Sequence, residues 1–142
     1  MIRAALISGA AAMLSGCASS GEPEPFMPRS DYPIDPWVKG YAQEDDCLGG
    51  EKLAAVKFDL PDYPRRAFKG GRQGWTIVQL DVDAAGQTQN VKIQRAVPFG
   101  GLFENPSKAA VENWVFKAPA GGPLNNCRVL IRYRMGKVSL GG

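Results

Sequence analysis

A strictly alternating run at residues 75–83 constrains this chain more than any other feature. Thr76, Val78, Leu80 and Val82 fall on one side of an extended backbone, and Ile77, Gln79, Asp81 and Asp83 on the other. A period of two is the signature of a strand with one face in a core. Ala84-Ala85-Gly86 follows as a hairpin loop, with Gly86 available for positive φ. Residues 90–97 then return as a second strand that buries Val91, Ile93 and Val97 and stops before Pro98.

The elements around this hairpin can be read from their punctuation. Tyr63-Pro64-Arg65-Arg66-Ala67-Phe68 opens a short helix, Pro64 suiting a first turn and Gly70-Gly71 ending it. After the loop Phe99-Gly100-Gly101-Leu102-Phe103, Asn105 is the expected N-cap and Pro106 the first helical residue. That helix should run to about Val115, with Ala110, Val111 and Trp114 on its apolar stripe. Residues 127–138 form the last predicted strand, with Val129, Ile131, Tyr133 and Met135 on one face and Arg128, Leu130, Arg132 and Arg134 on the other. The order helix, strand, strand, helix, strand predicts an α+β two-layer domain. Its sheet is antiparallel, of three or four strands, with two helices packed on one face.

Composition limits the chemistry. A chain of 142 residues, 44% hydrophobic and 22% charged, is sized and composed for one folded domain. There is no His, which removes imidazole-based triads, imidazole metal ligands and any side chain titrating near neutrality by default. Asp81 and Asp83 share a strand face but would need a cleft to act as an acid/base pair, and solvated strand ends are the stronger reading. We therefore expect no enzyme activity, no catalytic residue, no metal and no cofactor. Charge is unevenly distributed: residues 18–62 carry four basic and ten acidic side chains, residues 63–142 twelve basic and four acidic. Either an acidic leader is separate from a basic domain, or it lies against the basic part of the same chain.

The N-terminus reads as an address. After Arg3, residues 4–14 are apolar but for Ser8 and Gly9, too short a run to span a bilayer and laid out like a secretory signal. Leu14-Ser15-Gly16-Cys17 closes it and resembles the bacterial lipoprotein signal. That resemblance implies removal of residues 1–16 and acylation of Cys17, leaving the body on the periplasmic side of a membrane; more than one acyl chain makes such an anchor persistent. Ala18 in place of an Asp favours the outer membrane, on the same resemblance. Export puts Cys47 and Cys127 where disulfides persist. Free thiols or a metal pair are the alternatives, but two Cys without His make a poor zinc site, so a disulfide is expected.

Five of eleven prolines lie in residues 18–36, an extended tether that spans at most about 65 Å. Residues 37–53 are ambiguous, since Trp37, Val38 and Tyr41 could pack while Glu44-Asp45-Asp46 suits a solvated turn. The chain thus divides into a signal at 1–16, a lipidated Cys with a Pro-rich acidic tether at 17–46, and a periplasmic domain at 47–142.

Over residues 58–136 the sequence resembles the C-terminal domain of TonB-type energy transducers. The carriers are Tyr63-Pro64, Gly74-Trp75, Asp81-Val82-Asp83, Gly86, Val91-Lys92-Ile93, Ala109-Ala110-Val111 and the run from Trp114 through Pro119, taken in order and spacing. The resemblance implies a periplasmic domain that grips an outer-membrane receptor segment by adding it as a strand to a sheet edge. Mapped here, the binding residues would be Tyr63 and Pro64 with Arg128, Leu130, Arg132 and Arg134 of the last strand, taken as the edge. The arginines would attract acidic segments, or merely protect an edge from aggregation. A membrane helix and a long spacer are absent from this pattern, which argues against proton-motive coupling of its own. The alternative is a structural envelope lipoprotein whose basic face binds cell-wall or lipopolysaccharide groups. Few stacking aromatics among the basic residues, and the exported setting, argue against nucleic acid. An open edge also permits a homodimer.

Overall fold

A computed structural model describes residues 25–41, 47 and 54–141 of the chain. The signal at 1–16, Cys17, the first part of the tether up to residue 24 and the Glu44-Asp45-Asp46 stretch lie outside them. Six strands and two α-helices are described: β1 (Ala55–Lys57), α1 (Arg65–Lys69), β2 (Gly74–Val82), β3 (Thr88–Val97), α2 (Glu104–Glu112), β4 (Val115–Phe116), β5 (Leu124–Arg134) and β6 (Lys137–Gly141). The main sheet is antiparallel in the order β3-β2-β5-β6, and β1 pairs with β4 in a small second sheet. The expected α+β class, four-stranded variant included, is what forms.

The alternation in β2 places its residues as expected. Val78, Leu80 and Val82 join Val129, Ile131 and Tyr133 of β5 in a core with Ala67 of α1 and Val111 of α2. Both helices therefore cover one face of the sheet. Inside this core a chain of hydroxyls is fully buried: Thr76 donates to Ser107 at 2.8 Å, and Ser107 meets the Tyr133 hydroxyl at 2.7 Å. Helix α2 begins two residues earlier than expected, with Phe103 at its N-cap and Pro106 inside its first turn, and ends at Glu112, short of the expected Val115, which pairs in β4. The carboxylate of Glu104 accepts from the amides of Gly100 and Phe103 instead of a cap at Asn105.

Two local irregularities redirect side chains. Between Ile77/Arg95 and Val78/Ile93 the register slips, so Gln94 is extra in β3. A bulge of this kind exchanges the two faces, and Val97 consequently packs on the sheet face opposite Val91 and Ile93. The hairpin between β2 and β3 is closed by Asp83, whose carboxylate accepts from the amides of Ala85 and Gln87. Gly86, at φ 87°, lets the backbone approach β4, where the Phe116 amide donates to the Gly86 carbonyl at 2.8 Å.

The predicted single strand over residues 127–138 is instead two. Met135 and Gly136 both adopt positive φ, 47° and 78°, the geometry of a two-residue hairpin turn. The chain therefore folds back as β6, and Met135 stands in the turn, exposed, rather than on the core face.

Cys47 and Cys127 form the expected disulfide, with Cα atoms 4.4 Å apart and both residues buried in the helix-side core. Residues 25–41, the greater part of them read as tether, are not free of the domain. They run as an ordered strap that ends in a 3₁₀ turn, Val38–Tyr41, and crosses the sheet face opposite the helices. Of the ten acidic residues at 18–62, Asp31 and Asp35 lie in this strap, and Asp35 pairs with Arg132 of β5.

Candidate functional site

The strap is held by backbone groups spaced along its length. The Arg29 amide donates to the Gly71 carbonyl at 2.9 Å, and the Gln73 side chain donates to the Ser30 carbonyl at 2.8 Å. The Trp75 indole donates to the Ile34 carbonyl at 3.0 Å, and Gln94 donates to the Tyr41 carbonyl at 2.8 Å. Val38 completes an apolar cluster with Trp75, Ile77 and Leu130, joined by Tyr32, Tyr41 and Val97. At the other end Phe26 packs on Phe68 and Tyr63, ring centroids 5.2 and 5.8 Å apart.

This arrangement decides what becomes of the arginines of β5. Arg128 is buried, donating to the carbonyls of Tyr41 and Asn126. Leu130 is buried in the strap-side cluster. Arg132 pairs with Asp35 at 2.9 Å, and the Tyr32 hydroxyl donates to the same carboxylate at 2.6 Å. Arg134 stacks over the Tyr32 ring at 4.5 Å. Hydrogen bonding to that carboxylate and burial together push the Tyr32 phenol well above its ordinary range, burial being the larger cause.

The expectation that β5 is the sheet edge is overturned. It lies between β2 and β6, paired with β6 from Leu130–Gly141 to Arg134–Lys137. Beyond the end of β6, the Arg128 amide donates to the Cys47 carbonyl at 3.0 Å. The physical reason is the Met135-Gly136 turn, which supplies β5 with a partner of its own.

Among the described strands the edges are β3 and β6. β3 is irregular, with an extra residue at Gln94 and a second register shift near Asn90, which has φ 51°. Bulges of this kind protect an edge from pairing. β6 pairs with β5 over five residues without interruption. In an antiparallel hairpin closed by a two-residue turn, hydrogen-bonded pairs alternate with open ones. With Arg134–Lys137 and Arg132–Ser139 as bonded pairs, the backbone groups of Val138 and Leu140 point away from β5. Arg132 reaches across β6 to the Leu140 carbonyl at 3.3 Å, so its guanidinium stands at this open edge.

Tyr63 and Pro64 are placed on the helix side. The Tyr63 ring is edge-on to Phe103 and Tyr133 at 6.0 and 5.8 Å, and its hydroxyl donates to the Arg72 carbonyl. It is a packing hub. Pro64 caps α1 and lines an open groove with Asp59, Leu60, Pro106 and Ala109. The structure does not bring Tyr63 and Pro64 together with the β5 arginines. Nor does it give Asp81 and Asp83 a shared cleft: Asp81 accepts from the Asn126 amide and the Asn90 side chain. Asp83 holds the hairpin, and the Gln87 amide foremost keeps its carboxyl below the usual range. Among the described residues no group of three or more His, Cys, Asp or Glu is placed to hold a metal ion. No described helix is long and apolar enough to cross a membrane.

What these features define is a small α+β domain that offers a regular sheet edge at β6. Residues 59–135 match the family described as the Gram-negative bacterial TonB protein C-terminal, and the chain belongs to that family. Over 97 residues it is 40% identical to the protein TonB of Yersinia enterocolitica, covering 68% of this chain and 37% of that protein. Over 86 residues it is 33% identical to the protein TonB of Klebsiella aerogenes, covering 61% and 34%. The chain thus spans about a third of the length of these relatives. A solution structure of the Pseudomonas aeruginosa TonB C-terminal domain superposes with a TM-score of 0.55 at 21% identity, over 67% of this chain and 98% of that one; the likeness is one of fold.

Sequence reasoning missed β6, the small β1–β4 pair and the strap. The Met135-Gly136 pair carried a turn signal in its glycine alone, without the Asn or Asp that usually marks such a hairpin. The strap has no periodicity, because it binds through scattered carbonyls and single aromatic contacts.

Proposed function

We propose that this chain is a membrane-anchored periplasmic interaction module, acylated at Cys17, that receives a short extended segment of an outer-membrane transport receptor as an added strand on β6. In this reading it takes part in TonB-dependent transport without proton-motive coupling of its own, because its N-terminal pattern is that of a lipoprotein signal. The supporting observation is the uninterrupted β5–β6 pairing, which leaves β6 as a regular edge in a domain of the TonB C-terminal family. Main-chain hydrogen bonds from Val138 and Leu140 would carry the affinity, and Arg132, paired with Asp35, stands beside Leu140 at this edge. Of the residues first assigned to binding, Arg132 reaches this edge, at the Leu140 carbonyl. Arg128 and Leu130 support the sheet beneath. Basic contact with cell-wall groups draws no support from β5, whose arginines are buried or engaged by the strap.

The test is a proline at the edge. Leu140→Pro removes an N–H that faces away from β5, and an edge strand tolerates it. Binding of synthetic peptides from receptor N-terminal segments should weaken about five- to tenfold, the worth of one main-chain hydrogen bond. Leu140→Ala should bind as the parent does. Unchanged binding by a folded Leu140→Pro chain would exclude strand addition at β6. Mass spectrometry of the native protein should show a chain beginning at an acylated Cys17; an unmodified Cys17 removes the anchor.

A further inference from the structure

The strap has an outer side as well as the inner one that grips the sheet. On it Met27, Ile34 and Trp37 are 70%, 93% and 75% exposed. Single exposed hydrophobic residues are ordinary, but three large ones along one pinned segment mark an interaction surface. Trp37 is presented in a defined position: its ring lies over Gly40, with Cε3 3.2 Å from where a Cβ there would stand. Arg29 and Lys39 are exposed on the same segment, while the Asp35 carboxylate is drawn to Arg132. Asp31 and Asp35 are the exposed acidic residues of the segment, Asp35 being neutralised by its pairing with Arg132. The first described residue of the strap is Pro25, and fully extended chain from Cys17 to Phe26 reaches no more than about 30 Å.

We propose that the outer face of the strap docks on the bilayer in which Cys17 is anchored. This inference rests on acylation of Cys17. Ile34 and Trp37 enter the headgroup region, where an indole suits the boundary between water and hydrocarbon. Arg29 and Lys39 meet headgroup phosphates, their aliphatic stems lying along the apolar side chains. The short connection from Cys17 keeps this face at the surface. In this pose the sheet lies flat against the membrane, with the strap between them, the helices facing away, and the β6 edge pointing sideways along the surface.

Trp37 is a built-in probe, because the other two tryptophans, Trp75 and Trp114, are buried. The acylated full chain is reconstituted in phosphatidylethanolamine–phosphatidylglycerol vesicles with doxyl-labelled lipid. Trp37 emission should shift to the blue and be quenched, Trp37→Phe should abolish the quenchable component, and Ile34→Asp should reduce the quenching. Mass spectrometry of the same sample separates the two possible failures. Acylated chain with a water-like, unquenched Trp37 overturns the docking alone, whereas absence of acylation overturns the anchor and the docking with it. Protection of Trp37 from iodide without vesicles would put a second copy of the chain on the strap and would also overturn the proposal.

Discussion

Ser107 shows how much one small side chain decides. Its hydroxyl joins Thr76 to Tyr133 inside the helix-side core, so Ser107→Ala leaves two buried hydroxyls with fewer partners. The expected cost is about 2–3 kcal/mol, read from the urea midpoint. Burial raises the phenol of Tyr133 to about 12, and that of Tyr63 likewise to about 12, against an ordinary 10.0. The folded chain favours both as neutral groups. The stability this preference confers is complete below pH 10 and is lost as pH rises toward 12. Unfolding midpoints should therefore fall across that window, and Tyr133→Phe should fall less steeply than the parent. Gly86 is as exacting as Ser107. A Cβ there would stand 2.0 Å from the Phe116 carbonyl oxygen at positive φ, so Gly86→Ala should cost several times the ~1 kcal/mol typical of a substitution.

At the scale of elements, the disulfide and the strap each tie a segment with little regular structure to the sheet. Cys47–Cys127 closes a loop with a sequence separation of 80. Reduction should lower stability by about 4 kcal/mol in the chain-entropy account, measured as a shift in denaturant midpoint with and without reductant. The strap is distributed differently, through bonds at Arg29, Ser30, Ile34 and Tyr41 with Val38 as its one buried side chain. Losing the exposed Asp35–Arg132 pair should therefore matter little. Asp35→Asn is expected to cost under about 1 kcal/mol, whereas Val38→Asp should free the strap and move the Trp75 emission toward that of a solvated indole.

In the whole molecule these pieces make a sheet covered twice, by helices on one face and by the strap on the other. The alternation at residues 75–83 was enough to name the inward residues of β2, because period two is a local property of an extended backbone. Pro64 and Gly70-Gly71 bracketed α1, and Pro106 located the start of α2 to within two residues, for the same reason. Cys47 and Cys127 were paired by counting, together with the signal-like pattern of the N-terminus. The edge could not be obtained this way. Which strand is outermost depends on every other pairing, and here a Met-Gly turn at 135–136 moved the edge from β5 to β6. The fate of the arginines followed, since an alternating pattern assigns Arg128, Arg132 and Arg134 to a face without saying what covers it. The sequence by itself determined β2, β3, both helices, the disulfide and the family, all of which rest on local pattern or on ordered motifs. The tertiary structure alone decided the edge and the cover, because both are set by contacts between residues far apart in the chain, as between Asp35 and Arg132.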